Sequence, residues 1–120
     1  MAEASVNVLD SILQSTKKLL GIESEYDHFD SELILNINAA LMTLDQLGVT
    51  PKGFSISSKE DTWDELLGGR DDLEGTKTYI YLKTKLAFDP PQMGYLVDAI
   101  KVQISELEWR LLVQAEGGGE

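Results

Sequence analysis

The chain has 120 residues, of which 42% are hydrophobic and 26% charged; this is ordinary for one globular domain and excludes an intrinsically disordered chain. It contains no cysteine, which excludes a disulfide scaffold, a thiolate metal site and a thiol nucleophile. Ten lysines and arginines stand against 21 acidic residues, for a formal net charge of −11. Because affinity for nucleic acid comes from neutralising phosphates with basic groups, we expect no DNA binding, although DNA could pass such a surface without adhering to it.

The sequence gives no sign of a membrane or secretory segment. No run approaches the roughly 18 to 20 apolar residues that span a bilayer. The first residues, MAEASVNVLDSILQ, have no basic region and carry an acid within their apolar part, so we expect no signal peptide.

Five helical segments are predicted, and the first two have clear ends. The first runs from about residue 6 to residue 20, with Gly21 as its C-terminal stop. A short acidic connector leads to Asp30, a good N-cap for a second helix over about residues 31–47, which Gly48 ends.

A long loop is predicted between the second helix and a short third one. Residues 49–61 contain proline, glycine and several serines, and about 13 residues is more than two helices need for their connection. Phe54 and Ile56 are apolar within this polar stretch, so we expect the loop to project and contact a neighbouring molecule. The short helix spans about residues 62–67.

The last two helices complete an all-α bundle of four main helices and one short helix. The fourth helix, about residues 71–88, is apolar almost all round, which is typical of a central buried helix. The fifth runs from Pro91 or Gln92 to about Ala115. We expect one domain over residues 1–116 and a disordered glycine-rich tail at residues 117–120.

The fifth helix carries two apolar stripes on opposite sides. One has the spacing of a packed helix pair, 4-3-4-3-4, and comprises Met93, Val97, Ile100, Ile104, Leu107 and Leu111. The other lies about 180° away and comprises Tyr95, Val102, Trp109 and Val113. One stripe can complete the core. The other is either covered by the N-terminal helix or meets a partner, and we favour the partner because Trp and Tyr are frequent interface anchors.

No group of residues has the pattern of a catalytic or cofactor site. His28, the only histidine, lies between Asp27 and Asp30, but no further ligands are near it in sequence, so a helix-entry segment explains it better than a metal site. The acidic stretch around residues 60–74 lacks the register of a calcium loop, and no phosphate-binding loop or nucleophile elbow is present. We therefore expect no enzyme, no metal and no cofactor.

Three segments, in this order and spacing, resemble a known family. They are the connector with Tyr26, Phe29 and Asp30 before LILNINAALMTLDQLGV, the run YIYLKTKL leading to Phe88-Asp89-Pro90-Pro91, and the closing ISELEWRL. Together they resemble the head–tail connector proteins, also called adaptor or neck proteins, of long-tailed bacteriophages that infect Gram-positive bacteria. The resemblance covers roughly residues 17–116; the role of residues 1–16 is left open.

The resemblance implies a structural virion protein without a catalytic motif. Such a protein is assembled in the host cytoplasm and forms a ring, typically twelve-fold, in the neck of the virion. The ring lies beneath the portal protein and above the next neck or tail protein, and phage DNA passes through it. The predicted contacts with these partners and with sister subunits are Tyr95, Val102, Trp109, Val113, Phe54 and Ile56. Two alternatives stay open: an acidic helical mimic of DNA, and a regulatory module that binds a partner helix.

Overall fold

A computed structural model describes residues 7–118 of the chain. Within this range the regular structure is helical, with one 3-10 turn, Asp71–Leu73, before the fourth helix. The helices are α1 (Ile12–Leu20), α2 (Asp30–Gln46), α3 (Trp63–Leu67), α4 (Gly75–Phe88) and α5 (Gly94–Gly118). The predicted all-α bundle of four main helices and one short helix, with a long loop after the second, is confirmed. No helix in the described range has the length and apolar character needed to cross a membrane.

Local capping explains the ends of the first and third helices. Ser11 accepts a hydrogen bond from the Gln14 amide at 3.1 Å and so starts α1 six residues later than predicted. Thr62 and Glu65 form a reciprocal capping box that starts α3. Gly21, with φ of 82°, ends α1 in the left-handed conformation that favours glycine.

The predicted capping role of Asp30 is wrong. Asp30 is the first residue of α2, the preceding Phe29 stands at the cap position, and no side chain caps the helix. The carboxylate of Asp30 instead lies beside the ammonium group of Lys17.

Helix α4 lies at the centre of the bundle and packs against α1, α2 and α5. Its residues Tyr79 and Ile80 are completely buried, as the apolar pattern of this segment predicts. The main apolar stripe of α2 also enters the core; Leu33, Ile37, Ala40 and Leu44 are buried, and Leu47 packs against them. The core is therefore built on the contact between α2 and α4, with α5 added on another side of α4.

The most unusual buried group is Lys17, whose side chain has no exposed surface. Its Nζ donates hydrogen bonds to the carbonyl oxygens of Ser24 (3.2 Å) and Tyr26 (2.7 Å). It also forms an ion pair with Asp30, whose Oδ1 lies 2.9 Å from Nζ. One cation thus holds the end of α1, the acidic connector and the start of α2 together.

The loop after α2 folds back onto the bundle instead of projecting freely. Asn38 on α2 accepts a hydrogen bond from the Ile56 amide (2.8 Å) and donates one to the Ile56 carbonyl (3.0 Å). Ile56 is only 3% exposed, so its predicted role as a contact for a partner is corrected to a core residue. Phe54 is half-buried and packs against the core.

Backbone contacts join the start of α1 to the start of α3. The Ile12 amide donates to the Asp61 carbonyl and the Trp63 amide donates to the Asp10 carbonyl, at 3.0 and 2.9 Å. The Trp63 indole then donates to Ser15 Oγ at 2.8 Å, which fixes α3 against α1. At the other end of the chain, α5 continues to Gly118, three residues past its predicted end. The predicted disordered tail therefore begins inside a helix, and its residues 119–120 lie outside the described range.

Replacing Lys17 by methionine should lower the free energy of unfolding by about 2 to 3 kcal/mol. Removing one partner of a buried ion pair leaves the other charge uncompensated, and the loss is below the full value because the Asp30 side chain is 26% exposed. Lys18→Met is the matched control; its side chain is exposed, so it should change stability by less than about 0.5 kcal/mol. Urea denaturation measures the stability of both variants. Equal losses of stability would contradict the role assigned to the ion pair of Lys17 and Asp30.

Tyr79 should make the fold sensitive to alkaline pH. Burial, helped by the hydrogen bond to Glu108, raises the pKa of the Tyr79 phenol, so the folded state keeps its proton at a pH where the unfolded chain loses it. The contribution of Tyr79 to the free energy of unfolding is fully present below about pH 10. Above that pH it falls by up to about 1.4 kcal/mol per pH unit. Urea denaturation between about pH 9 and pH 11 should show a shallower fall for Tyr79→Phe; equal slopes would contradict this assignment.

Candidate functional site

The inner face of α5 attaches this helix to the bundle through a narrow stripe. Ile104 and Leu111 are buried, while Val97, Ile100 and Leu107 are partly buried. Met93, which was predicted on the same stripe, precedes the first residue of α5 and is 56% exposed. The predicted core-facing stripe is therefore correct from Val97 to Leu111.

Two contacts fix α5 against α4. Tyr79 donates a hydrogen bond from its hydroxyl to Glu108 Oε2 at 2.7 Å, which satisfies a phenol that has no access to water. At Gly75 the two helices approach closely, since a Cβ there would lie 3.5 Å from the side chains of Leu107 and Leu111. Together these contacts set which face of α5 points inward.

The opposite face of α5 is apolar and exposed. Tyr95 is 69% exposed, Val102 67%, Trp109 65% and Val113 45%. Ala99 and Glu106 lie between them, so the complete outer line has the 4-3-4-3-4 spacing of a second coiled-coil seam. We call this line, residues 95, 99, 102, 106, 109 and 113, the α5 seam.

Helix α1 does not cover the α5 seam. It packs against α2 and α4, and its Ser15 is bound to α3. The alternative in which the N-terminal helix covers the second stripe is therefore wrong for the part of that helix that lies within residues 7–118. Residue 6, its predicted first residue, lies outside the described range. Four large side chains of the α5 seam remain open to solvent in this part of the chain.

The α5 seam carries one charge. Glu106 lies 2.8 Å from the guanidinium of Arg110, one turn further along the helix, and both side chains are more than half exposed. Such an exposed pair contributes little to stability and can be exchanged for contacts with a partner at little cost. The seam is otherwise apolar, and its arrangement suits binding to another protein.

The predicted site residues do not all lie together. The four large residues of the α5 seam share one helix face, whereas Phe54 and Ile56 belong to the loop that Asn38 fastens to α2. Only the first group forms a continuous exposed surface.

A second exposed apolar surface, which the sequence reasoning missed, lies on α2. Leu35 is 71% and Met42 62% exposed, and the exposed Ala39 lies between them. Their spacing of four and then three residues is visible in the sequence and would have revealed the stripe. The pattern is masked in the sequence by the more apolar opposite face of α2, which accounts for the core.

His28 has an aromatic environment. Its ring lies 5.0 Å from the ring of Phe29 and 6.0 Å from that of Tyr26, measured between ring centroids. Among residues 7–118, no group of three or more histidine and acidic side chains is arranged to hold a metal ion.

One comparison with known proteins gives a match. The model of the phage connector protein family matches residues 12–118, from the start of α1 to the end of α5. The chain matches no curated protein and no solved structure. Because the match covers nearly the whole chain, including every helix described above, the chain belongs to the phage connector protein family.

Proposed function

We propose that this chain is the subunit of a ring that connects the head of a tailed phage to its tail, beneath the portal protein. The observation that carries the proposal is the exposed α5 seam, with Trp109 and Val102 each about two-thirds exposed, on a chain of the connector family. In this role the protein catalyses no reaction; its work is to bind sister subunits, the portal and the next neck or tail protein.

The energetics of the α5 seam support a docking role. Trp and Tyr bury large areas, and a tryptophan at the centre of an interface is commonly worth about 2 kcal/mol or more. The seam lies on a helix of 25 residues, about 37 Å long, whose inner face is already held by the core. A rigid helix with one free seam loses little conformational entropy when a partner covers it.

The charge of the chain supports a conduit for DNA. With a net charge of −11, the subunit repels phosphates on average, so DNA inside a ring of such subunits would slide without being held. Of the three lysines on α4, Lys77 pairs with Glu74 and Lys85 pairs with Asp89, while the ammonium group of Lys83 lies over the Tyr79 ring.

Family membership favours this role over the two alternatives left open by the sequence, a mimic of DNA and a regulatory module. We place the ring in the virion neck, with twelve subunits matching the symmetry typical of such connectors, after assembly in the host cytoplasm. Tyr95, Val102, Trp109 and Val113 would contact sister subunits or the portal, and the exposed part of Phe54 would contribute to a neighbouring contact.

Polar replacement of the α5 seam should abolish assembly without unfolding the subunit. The paired change Trp109→Ser and Val102→Ser should alter the free energy of unfolding of the monomer by less than about 1 kcal/mol, because both side chains are exposed. Ring formation, or attachment to the portal of the same phage, should be lost. Light scattering and sedimentation measure assembly, and urea denaturation measures stability.

The matched control changes the inner face of the same helix. Ile104→Ala and Leu111→Ala should each lower stability by about 2 to 5 kcal/mol, because both residues are buried. If the outer pair destabilises the monomer as much as the inner pair does, both stripes belong to the core and the proposed docking surface is wrong.

The free protein should bind duplex DNA negligibly at physiological salt. Its negative charge makes approach to phosphates unfavourable, and the repulsion should grow at lower salt, where screening weakens. Gel-shift titration of a duplex at about 50 mM and about 150 mM salt tests this. Saturation at low micromolar protein, strengthening as salt is lowered, would instead reveal a basic surface, and Lys77→Glu, Lys83→Glu and Lys85→Glu would then locate it.

A further inference from the structure

The exposed stripe on α2 borders a groove between α2 and α4. The groove has a volume of about 380 Å³, and its walls include Ala39 and Thr43 from α2 and Lys83, Leu86 and Ala87 from α4. Ala39 belongs to both features, and from it the exposed rim continues along α2 to Leu35, four residues earlier, and to Met42, three residues later. We call the groove and this rim together the α2–α4 groove. Its small alanines leave room for larger side chains from a partner.

The α2–α4 groove and the α5 seam are complementary in charge. Lys83, in the groove wall, makes no ion pair with any residue of 7–118; its ammonium group lies 5.9 Å from the centre of the Tyr79 ring. The α5 seam has the opposite arrangement, since Glu106 is the one charged residue among its six positions. The groove therefore carries a single cation among apolar residues and the uncharged polar residues Asn36 and Thr43, whereas the α5 seam carries a single anion among apolar residues.

The two surfaces cannot meet within one subunit. Helix α4 packs against both α2 and α5, and the α5 seam lies on the side of α5 opposite Leu107 and Leu111, which face α4. A contact between the α5 seam and the α2–α4 groove must therefore join two copies. Because the two surfaces are different patches of the same chain, each copy keeps one of each free for a further neighbour, which is the heterologous contact from which rings are built.

We propose that the α5 seam of one subunit binds in the α2–α4 groove of the next subunit, with Glu106 paired to Lys83 across the junction. This inference rests on the proposed function. The occupant of the groove is a second copy of this chain. Trp109 and Val102 then contact the apolar walls, and Glu106 exchanges its exposed pairing with Arg110 for the lysine of the neighbour.

A charge exchange tests the pairing. Lys83→Glu and Glu106→Lys should each weaken self-association at least tenfold in sedimentation, because every junction then places two like charges together. An equimolar mixture of the two variants should recover most of the association, since subunits that alternate pair a lysine with a glutamate at every junction. Circular dichroism and thermal melting should show both variants folded. No recovery in the mixture would overturn the pairing.

A second test does not depend on the charge variants. The chain has no cysteine, so Ala39→Cys together with Val102→Cys places the only two thiols at the centres of the two surfaces. Mild oxidation should produce a ladder of covalent dimers, trimers and larger species on a denaturing gel. The control, Val102→Cys alone, should run as a monomer on the same gel. If its main product is instead a covalent dimer, two α5 seams pair with each other and the proposal is wrong.

The failure of this pairing and the failure of the connector role are distinguishable. If the wild-type chain is monomeric even at about 1 mM, a concentration that populates weak contacts, the pairing is wrong. The connector role fails on a separate observation, namely that the chain neither forms rings nor binds the portal of its phage. If rings form while the charge mixture shows no recovery, the connector role stands and the junction lies elsewhere.

Discussion

The position of α4 between its neighbours is the constraint on which the rest of the structure depends. One side of α4 completes the core with α2, and another side holds α5 through Gly75, Tyr79 and the buried residues of the inner α5 stripe. Within residues 7–118 no further helix is left to place over α5, because α1 packs against α2 and α4. The exposed seam on α5 is therefore a direct consequence of the bundle's topology.

Buried polar contacts then determine which arrangement of the helices is adopted. Lys17 is held by two carbonyl groups and Asp30, and Asn38 pairs with both backbone groups of Ile56. Apolar packing alone tolerates shifts between neighbouring helices, whereas a buried cation without its partners costs several kcal/mol. These contacts fasten the segment between α1 and α2 to the start of α2, and the loop after α2 to the middle of that helix.

Most of the fold follows from local sequence signals. The helices were predictable because their apolar residues recur with the helical period, and Gly21, Gly48 and Gly68 end helical segments with positive φ values of 82°, 79° and 60°. The burial of Lys17 could not be predicted, because a lysine in a last helical turn usually remains in water and its partners come from the following connector. The core position of Ile56 was also hidden, since it depends on Asn38, 18 residues earlier in the chain.

The candidate site shows the same division between local and long-range information. The α5 seam was predictable in part because its residues lie on one helix, where spacing alone defines a face. Whether that face is exposed depends on where α1 packs, which only the fold reveals. The stripe of Leu35, Ala39 and Met42 has the same kind of spacing, but its meaning depends on a groove that includes Lys83, from a different helix.

The α5 seam and the α2–α4 groove are two exposed surfaces on one small chain, and copies of the chain can associate through them in more than one way. Two apolar helix faces with the same residue spacing can pair in several registers. If both faces were entirely apolar, no register would be favoured over the others. A single charge in each surface restricts the choice, because a register that buries Glu106 or Lys83 against apolar side chains leaves a charge without a partner. The net charge of −11 also opposes contacts between subunits outside these patches. In the proposed ring the charges would therefore act in two ways: the net charge of −11 opposes unspecific contacts between copies, and the pair of Glu106 with Lys83 favours one register where the neighbouring copy is proposed to bind.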